Sequence, residues 1–533
     1  MTARGSSLQT ATIEDAGRYG TVVACSILAL VLARLAIAAA VPLTFDEAYY
    51  WRLSQHLAGG YLDHPPMFAV IIRLGTLIAG DTLLGVRLVS VLLALPASWA
   101  VWRGAAILFH DDRLAATAAL FFNLTLIVEL GTVIVTPDSP LLVAGAFVLL
   151  FLAKLTDGGA GIWWLAVGAA VGAGLLSKYS ALFFGPSILA WLLIVPSERR
   201  WLLTPWPWLG ALVALAVVSP VLFWNADHDW DSFIFQFRRL AVEHFTLRYL
   251  GEFLPAQLGL ATPPIFILGV MALIAFLAGR GAAHSARVLL GAMVWPLVIY
   301  LAWHALHQRV EGNWTAPIFP AFAIAAARAA HGIEWSGRWK SLADWSSRLA
   351  VPTGLAMVVL IAAQATFGVL PLGAADPTAR VLGAGWPELG PRIDAIRAEI
   401  GAPAVLVENH ALAGWLSFYL PSHPPVIQVT ERFRWANEPP PSPELFKGPL
   451  LYICPASATE ARFVTGRFRM VEKIASLDRE RRVVVERYSV YRLAEPTGDP
   501  LDEATLRAWL MKERQRHVRQ TPDRSEKQWG FHR

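Results

Sequence analysis

Long apolar runs with few charges recur along this chain, and they exclude most folds before any motif is read. A membrane span needs roughly 20 mostly apolar residues. Runs that reach or approach that length occupy 20–41, 82–102, 114–135, 139–155, 161–176, 180–196, 206–224, 256–279, 288–306, 314–330 and 349–371. Only 16% of residues are charged and 55% are hydrophobic, with a mean hydropathy of +0.47; soluble domains carry roughly 25% charged residues. The expectation is a polytopic α-helical membrane protein with about 11 transmembrane helices, within a range of about 10 to 13. The stretch 67–80 is apolar but short and contains Arg73, which suits an interfacial helix. The first run is too long for a signal-peptide core and lacks a small-residue cleavage site, so it reads as a retained helix.

Charge sets the orientation. With the N-terminus in the cytoplasm, the inside segments carry Arg4, Arg18, Arg103, Arg113, Lys154, Arg199, Arg200, Arg280, Arg287, Arg338, Lys340 and Arg348, as the positive-inside bias requires. The same alternation sends residues 42–81, the TPDSP and SKYS segments, 225–255, HQRVEGNW and the C-terminal third to the opposite, extracytoplasmic side. The net charge of +5 comes without a basic patch interleaved with aromatics, so nucleic acid is not the partner; the lipid bilayer is. Cys25 and Cys454 show neither metal-ligand spacing nor a redox motif.

Composition shifts near residue 372. The expected organisation is a membrane domain over 1–371 with a first outer loop at 42–81, a small α/β domain over 372–498 and a polar tail over 499–533, opening with a helix at 502–517. Short strand-like segments at 403–407, 425–429, 450–454 and 482–493 alternate there with helix-like ones at 390–400 and 410–420.

The first outer loop, TFDEAYYWRLSQHLAGGYLDHPP, gathers Asp46, Glu47 and Asp63 with His56, His64 and five aromatics where an apolar run stops. Taken alone, Asp46 and Glu47 read as the acidic first turn of a helix. Other outer segments change that picture. Asp138 sits in TPDSP, Lys178 and Tyr179 in SKYS, and His304, His307, Arg309, Glu311 and Asn313 in WHALHQRVEGNW. Ionisable groups gathered at span ends on one side suit an active site at a membrane surface. A carboxylate serves as general base on a hydroxyl, and a cation or divalent metal ion stabilises a departing phosphate. Tyr49, Tyr50 and Trp51 suit the face of a sugar ring. No phosphate-cradling glycine loop is present, so no nucleotide cofactor is expected.

In their order along the chain, the acidic pair, the acid before HPP, TPDSPLL, GLLSKYSALF and VEGNWTAP resemble the bacterial polyprenyl-phosphate-dependent glycosyltransferases of the GT-C superfamily. The relatives within it are the dolichyl-phosphate-mannose protein mannosyltransferase-like family, the lipid A aminoarabinose transferases and the rhizobial galacturonic acid transferases. The resemblance covers roughly 20–330 and implies a GT-C fold, a polyprenyl-phosphate-linked sugar donor and a glycolipid acceptor such as lipid A or lipopolysaccharide core. It implies that Asp46 is the base of an inverting displacement, that Glu47 supports it, and that Asp138 is the second acidic group. Lys178 and Arg309 become the candidates for the donor phosphate, with Tyr49, Tyr50, Asp63, His64 and Tyr179 as substrate-binding candidates. Aminoarabinose transferases read Glu-Lys-Pro-Pro where this chain has Asp63-His64-Pro65-Pro66, and arginine where it has Tyr49. The Asp63–His64 pair is therefore also a candidate ligand set for a divalent metal.

Each residue also has a plainer reading. Asp138 caps a helix, Lys178 snorkels to the interface, Arg309 is a surface charge, and His304 and His307 are interfacial polar groups, or metal ligands on one helix face. The segment 225–255, with Asp227, His228, Asp229, Asp231, Arg238, Arg239, Glu243 and His244, reads as an outer amphipathic helix. Rival functions are a protein O-mannosyltransferase, a transporter of lipid-linked substrates, for which the expected midplane charges and repeated halves are missing, and a glycan-binding receptor anchored by its bundle.

Overall fold

The computed structural model describes residues 3–238, 245–456, 463–502 and 504–511, without the side chains of 3–16 and 374. These fall into two units: Met1–Gly60, His64–Trp230 and Phe237–Ala384 form one, and Tyr61–Asp63, Asp231–Gln236 and Gly385–Arg533 the other. The first unit extends past the composition shift at 372 because Leu382 bridges Thr44 and the Gly383 N–H donates to Leu43 O at 2.8 Å.

The second unit is built on five strands, β1 (Val405–Val407), β2 (Val426–Gln428), β3 (Leu450–Pro455), β4 (Phe468–Arg481) and β5 (Val483–Pro496), in the order β2-β1-β3-β5-β4. The β1–β2 and β1–β3 pairs are parallel, and β5 runs antiparallel to β3 and β4. Helices Trp386–Glu399 and His410–Tyr419 complete the α/β unit. β4 is the strand the sequence pattern did not reveal. It lies at the sheet edge, with Phe468 and Leu477 buried and most of its residues exposed or half-exposed, so it lacks a continuous hydrophobic signal. Of the helix expected at 502–517, residues 506–511 are helical and those from 512 onward lie outside the described residues. Arg239, Glu243 and His244 lie outside them too; the segment around them holds the short helix Asp231–Phe237 and the start of Arg248–Leu260.

In the first unit, six helices among the described residues are long and apolar enough to cross a membrane: Gly17–Ala40, Leu83–Phe109, Asp138–Thr156, Trp206–Asp227, His284–His304 and Gly337–Phe367. Two bent pairs raise this to eight, Asp112–Leu124 with Leu126–Val133 (60°) and Arg248–Leu260 with Pro263–Leu277 (107°). Met67–Ala79, Trp163–Ser177 and Tyr179–Ile194 are shorter apolar helices. Several of the eleven expected runs are therefore short or broken helices. Phe319–His331 has only 13 residues, and its alanine-rich length from Ala321 to Ala327 is buried on every side, as expected of a helix apolar all round. Trp163–Ser177 and Trp206–Asp227 cross where Gly168 meets Gly210; a Cβ on Gly168 would stand 2.0 Å from the Gly210 carbonyl oxygen. Small residues at such crossings let helices in lipid pack by close contact.

A broken helix exposes backbone groups that lipid cannot satisfy. At the break after Leu124, the Asn123 carbonyl accepts from Arg34 Nη2 at 3.0 Å and the Leu124 carbonyl from Thr262 Oγ1 at 2.7 Å. Arg34 is fully buried and also donates to Glu129 at 2.6 Å and to the Asn123 side chain at 3.0 Å. The pair thus neutralises two charges inside apolar runs while closing a backbone gap.

A second buried pair organises the end of the first helix. Arg87 and Glu47 are both fully buried and meet through Nε–Oε1 and Nη2–Oε2, each at 2.6 Å. The remaining Arg87 donors reach the carbonyls of Ala38 (3.1 Å), Val41 (2.5 Å) and Pro42 (3.0 Å), where the first helix ends. Glu47 also accepts from Thr44 N at 2.9 Å and Val135 N at 3.1 Å. Removing one member leaves the other charge buried, so Arg87→Ala is expected to cost about 3–5 kcal/mol. Thermal unfolding of the purified full chain checks this; a variant melting with the wild type would show that the pair is not structural.

Candidate active site

The helix Phe45–Ser54 begins with a capping box: the Thr44 side chain accepts from Glu47 N, and the Glu47 carboxylate accepts from Thr44 N. This fixes the first turn, on which Asp46 stands half-buried. Glu47 itself offers no oxygen to a substrate. Both carboxylate oxygens are engaged by Arg87, Thr44 N and Val135 N, which suits Glu47, grouped with the catalytic residues as a support for Asp46, to positioning rather than to contact with substrate. Its bond to Val135 N lays the Asp46 turn beside the segment that leads into Asp138.

Asp138 is the first residue of Asp138–Thr156 and is 2% exposed. Lys178 Nζ donates to both its oxygens, at 2.8 and 2.9 Å, and Asn313 Nδ2 donates to Oδ2 at 2.5 Å. Lys178 follows helix Trp163–Ser177 in an extended conformation, its N–H bonded to Gly174 O, which releases the side chain from the helix axis. The Lys178 side chain retains 14% exposure, so the ion pair is not sealed. Asn313 was visible in the sequence only as a neighbour of Arg309, and its bond to Asp138 had no local signal.

The other candidates are placed differently. Tyr49 and Tyr50 are buried, their rings 5.7 Å apart, and Tyr50 packs on Phe68 at 4.5 Å. Trp51 is buried and donates to Asp81 at 2.7 Å. These aromatics form packing and present no open face to a sugar, which corrects the expected stacking role. His64 packs edge-on against Tyr50 at 5.9 Å. Tyr179 lies half-buried against Phe237 at 6.3 Å. Arg309 is exposed, 3.8 Å from Glu252 and 3.9 Å from Glu311, and the structure pairs it with neither Asp138 nor Lys178. His304 is buried between Tyr300 and Trp314, whereas His307 is exposed against Trp303.

Asp63 belongs to the second unit. Both its oxygens stand 2.9 Å from Arg434 Nη1, while Arg434 Nε pairs with Glu431 and the guanidinium lies 5.3 Å over the Phe235 ring. Gln236 donates to the Asp63 carbonyl. A metal on Asp63 and His64 would have to displace the guanidinium. No group of three His, Cys, Asp or Glu able to hold a metal ion occurs among the described residues. The Asp63–His64 metal set therefore does not fit.

A sequence model of the family described as dolichyl-phosphate-mannose-protein mannosyltransferase matches residues 63–224. The lipid A galacturonosyltransferase RgtD of Rhizobium johnstonii is 29% identical over 287 residues, 53% of this chain and 59% of that protein; the match thus spans less than two thirds of the relative's length. The crystal structure of ArnT from Cupriavidus metallidurans bound to undecaprenyl phosphate aligns with a TM-score of 0.61 at 17% identity, covering 91% of this chain and 99% of that one. The apo state of the same protein gives 0.59 at 17% identity, covering 90% and 99%. The fold is therefore of the GT-C type, a multi-pass helical membrane protein with a small C-terminal α/β domain. The resemblance drawn from the motifs holds, since the mannosyltransferase family, a galacturonic acid transferase and an ArnT fold are the groups it pointed to.

His410 lies near the Asp63–Arg434–Glu431 cluster. Burial pushes its pKa below the ordinary imidazole value, and the Arg434 charge adds to this against the opposing pull of Asp63 and Glu431. A base with a depressed folded pKa binds fewer protons folded than unfolded, so the second unit should lose stability as pH falls below about 6.5. Hydrogen exchange of strand Leu450–Pro455, compared at about pH 8 and 5 after correction for intrinsic rates, should show added opening in acid. His410→Gln should remove that increment; an unchanged increment would assign it to other groups.

Proposed function

We propose that this protein is a membrane glycosyltransferase that moves a sugar from a polyprenyl-phosphate carrier to a hydroxyl of an envelope glycolipid. The acceptor is of the lipid A or lipopolysaccharide-core type, and transfer takes place on the periplasmic face of the inner membrane. The observation that carries this reading is the buried Asp138–Lys178–Asn313 cluster, joined to the Asp46 turn by the Val135–Glu47 hydrogen bond. A paired lysine, and a half-buried carboxylate on the capped first turn of Phe45–Ser54, are the two charges that a phosphate-leaving displacement needs. The fold shared with a protein solved with undecaprenyl phosphate, and the match to a lipid A galacturonosyltransferase, favour the donor and acceptor classes.

The residues then have separate tasks. Asp46 takes the proton from the acceptor hydroxyl as its oxygen bonds to the anomeric carbon. The bond from that carbon to the phosphate oxygen breaks on the opposite face, with inversion. Lys178 meets the charge that develops on the departing phosphate, and Asp138 with Asn313 holds the amine in place. This assignment calls on no metal at Asp63, whose carboxylate is engaged by Arg434. The second reading, transfer of a sugar to a protein hydroxyl, is favoured by the description of the family model matching 63–224.

Asp46→Asn should lower transfer from a polyprenyl-phosphate sugar by about 10²–10⁴-fold while binding of the polyprenyl phosphate persists; transfer at the wild-type rate would end the reading. Mass spectrometry of lipid A and core from a deletion strain should show loss of one sugar. Unchanged lipopolysaccharide with a lost glycoprotein would move the acceptor to protein, and transport that requires an ion gradient would move the chain out of the enzyme class.

A further inference from the structure

We infer that Gln257 is a positioning residue for the site, acting through the segment Gly312–Ile318 on Asn313; the inference rests on the reading of Lys178 as the phosphate-binding group. Gln257 lies on helix Arg248–Leu260, 8% exposed, and none of the reacting groups is on its helix. Its Nε2 donates to the Gly312 carbonyl at 3.0 Å, and its Oε1 accepts from Thr315 Oγ1 at 2.7 Å. One amide thus grips the 3₁₀ segment Gly312–Ile318 on both sides of Asn313. The grip is tight. A Cβ on Gly312 would stand 2.7 Å from Leu260 Cδ1, so the backbone lies directly against the helix that carries Gln257. Asn313 then reaches Asp138 Oδ2 at 2.5 Å, and Asp138 holds Lys178 at 2.8 and 2.9 Å.

The helix that grips is itself indexed to the bundle. Just beyond its end, Thr262 is buried at a positive φ of 62°, and its hydroxyl bonds to the Leu124 carbonyl at 2.7 Å. Leu124 is the break from which Leu126–Val133 runs toward Val135 and Asp138. The helix that grips the Asn313 segment thus ends, and the helix that leads toward Asp138 begins, at one shared hydrogen bond between two helix breaks. Within this frame the Gln257 amide fixes where Asn313 falls.

The test uses the detergent-solubilised full chain and a short-chain polyprenyl phosphate as probe. Probe binding, and kcat and KM for transfer, are measured for Gln257→Leu, Thr315→Val, Asn313→Ala and the Gln257→Leu/Asn313→Ala double variant. Gln257→Leu and Asn313→Ala should each weaken probe binding and lower kcat about tenfold, with acceptor KM held within about twofold. Thr315→Val should move the same quantities less, since it removes one of the two bonds. The double variant should be no worse than Asn313→Ala alone, because both changes break one path. Additive losses, or wild-type behaviour of Gln257→Leu, would overturn the inference. If Gln257→Leu does not fold, the same cycle is run with Thr315→Val. A wild type that binds the probe but transfers nothing removes the glycosyltransferase reading and leaves the binding cycle to decide; a wild type that does not bind it overturns both.

Discussion

The Asp46 turn and the approach to Asp138 are both referred to one fully buried ion pair, Glu47 with Arg87. A charge in apolar surroundings is tolerated only when paired and when its remaining hydrogen-bonding capacity is met. Here the guanidinium closes the carbonyl end of the first helix while the carboxylate closes the amide start of the next and holds Val135 N. A single pair therefore sets three chain segments against each other at one end of the helical unit. Asp46 and the approach to Asp138 take their positions from that junction.

The broken helices extend the same logic. Backbone groups freed in an apolar core must find partners within the protein. Arg34 and Thr262 supply them at the Asn123–Leu124 break. The cost of interrupting a helix is offset by polar side chains that would otherwise be a burden in lipid. The interruptions in turn deliver short segments, rather than helix walls, to the place where Asp138 and Asn313 meet.

The apolar runs and the α/β end domain were legible because hydropathy sums over many residues and survives local irregularity. Lys178 with Asp138 was legible as two motifs, although not as a bonded pair. Arg34, Arg87 and Glu129 are legible in principle, since lone charges of complementary sign inside apolar runs predict buried partners. The rest was not local. Asp63 finds Arg434 across 371 residues of sequence, and no periodicity encodes that encounter. Tyr49 and Tyr50 illustrate the converse difficulty, since an aromatic near a span end looks the same whether it faces a ligand or packs on Phe68. β4 escaped because an edge strand with alternating charges resembles a loop.

The second unit has a non-contiguous pedigree. Tyr61–Asp63 and Asp231–Gln236 are stitched into it from far upstream, where Leu62 and Phe235 pack with Leu506 and Asp63 meets Arg434. Residues 385 onward, excised by themselves, would leave Arg434 with Glu431 but without Asp63, and would bare an apolar seam. This part of the molecule is thus no detachable module: it draws two short inserts from within the polytopic portion, and any boundary drawn by cutting the chain once will sever it.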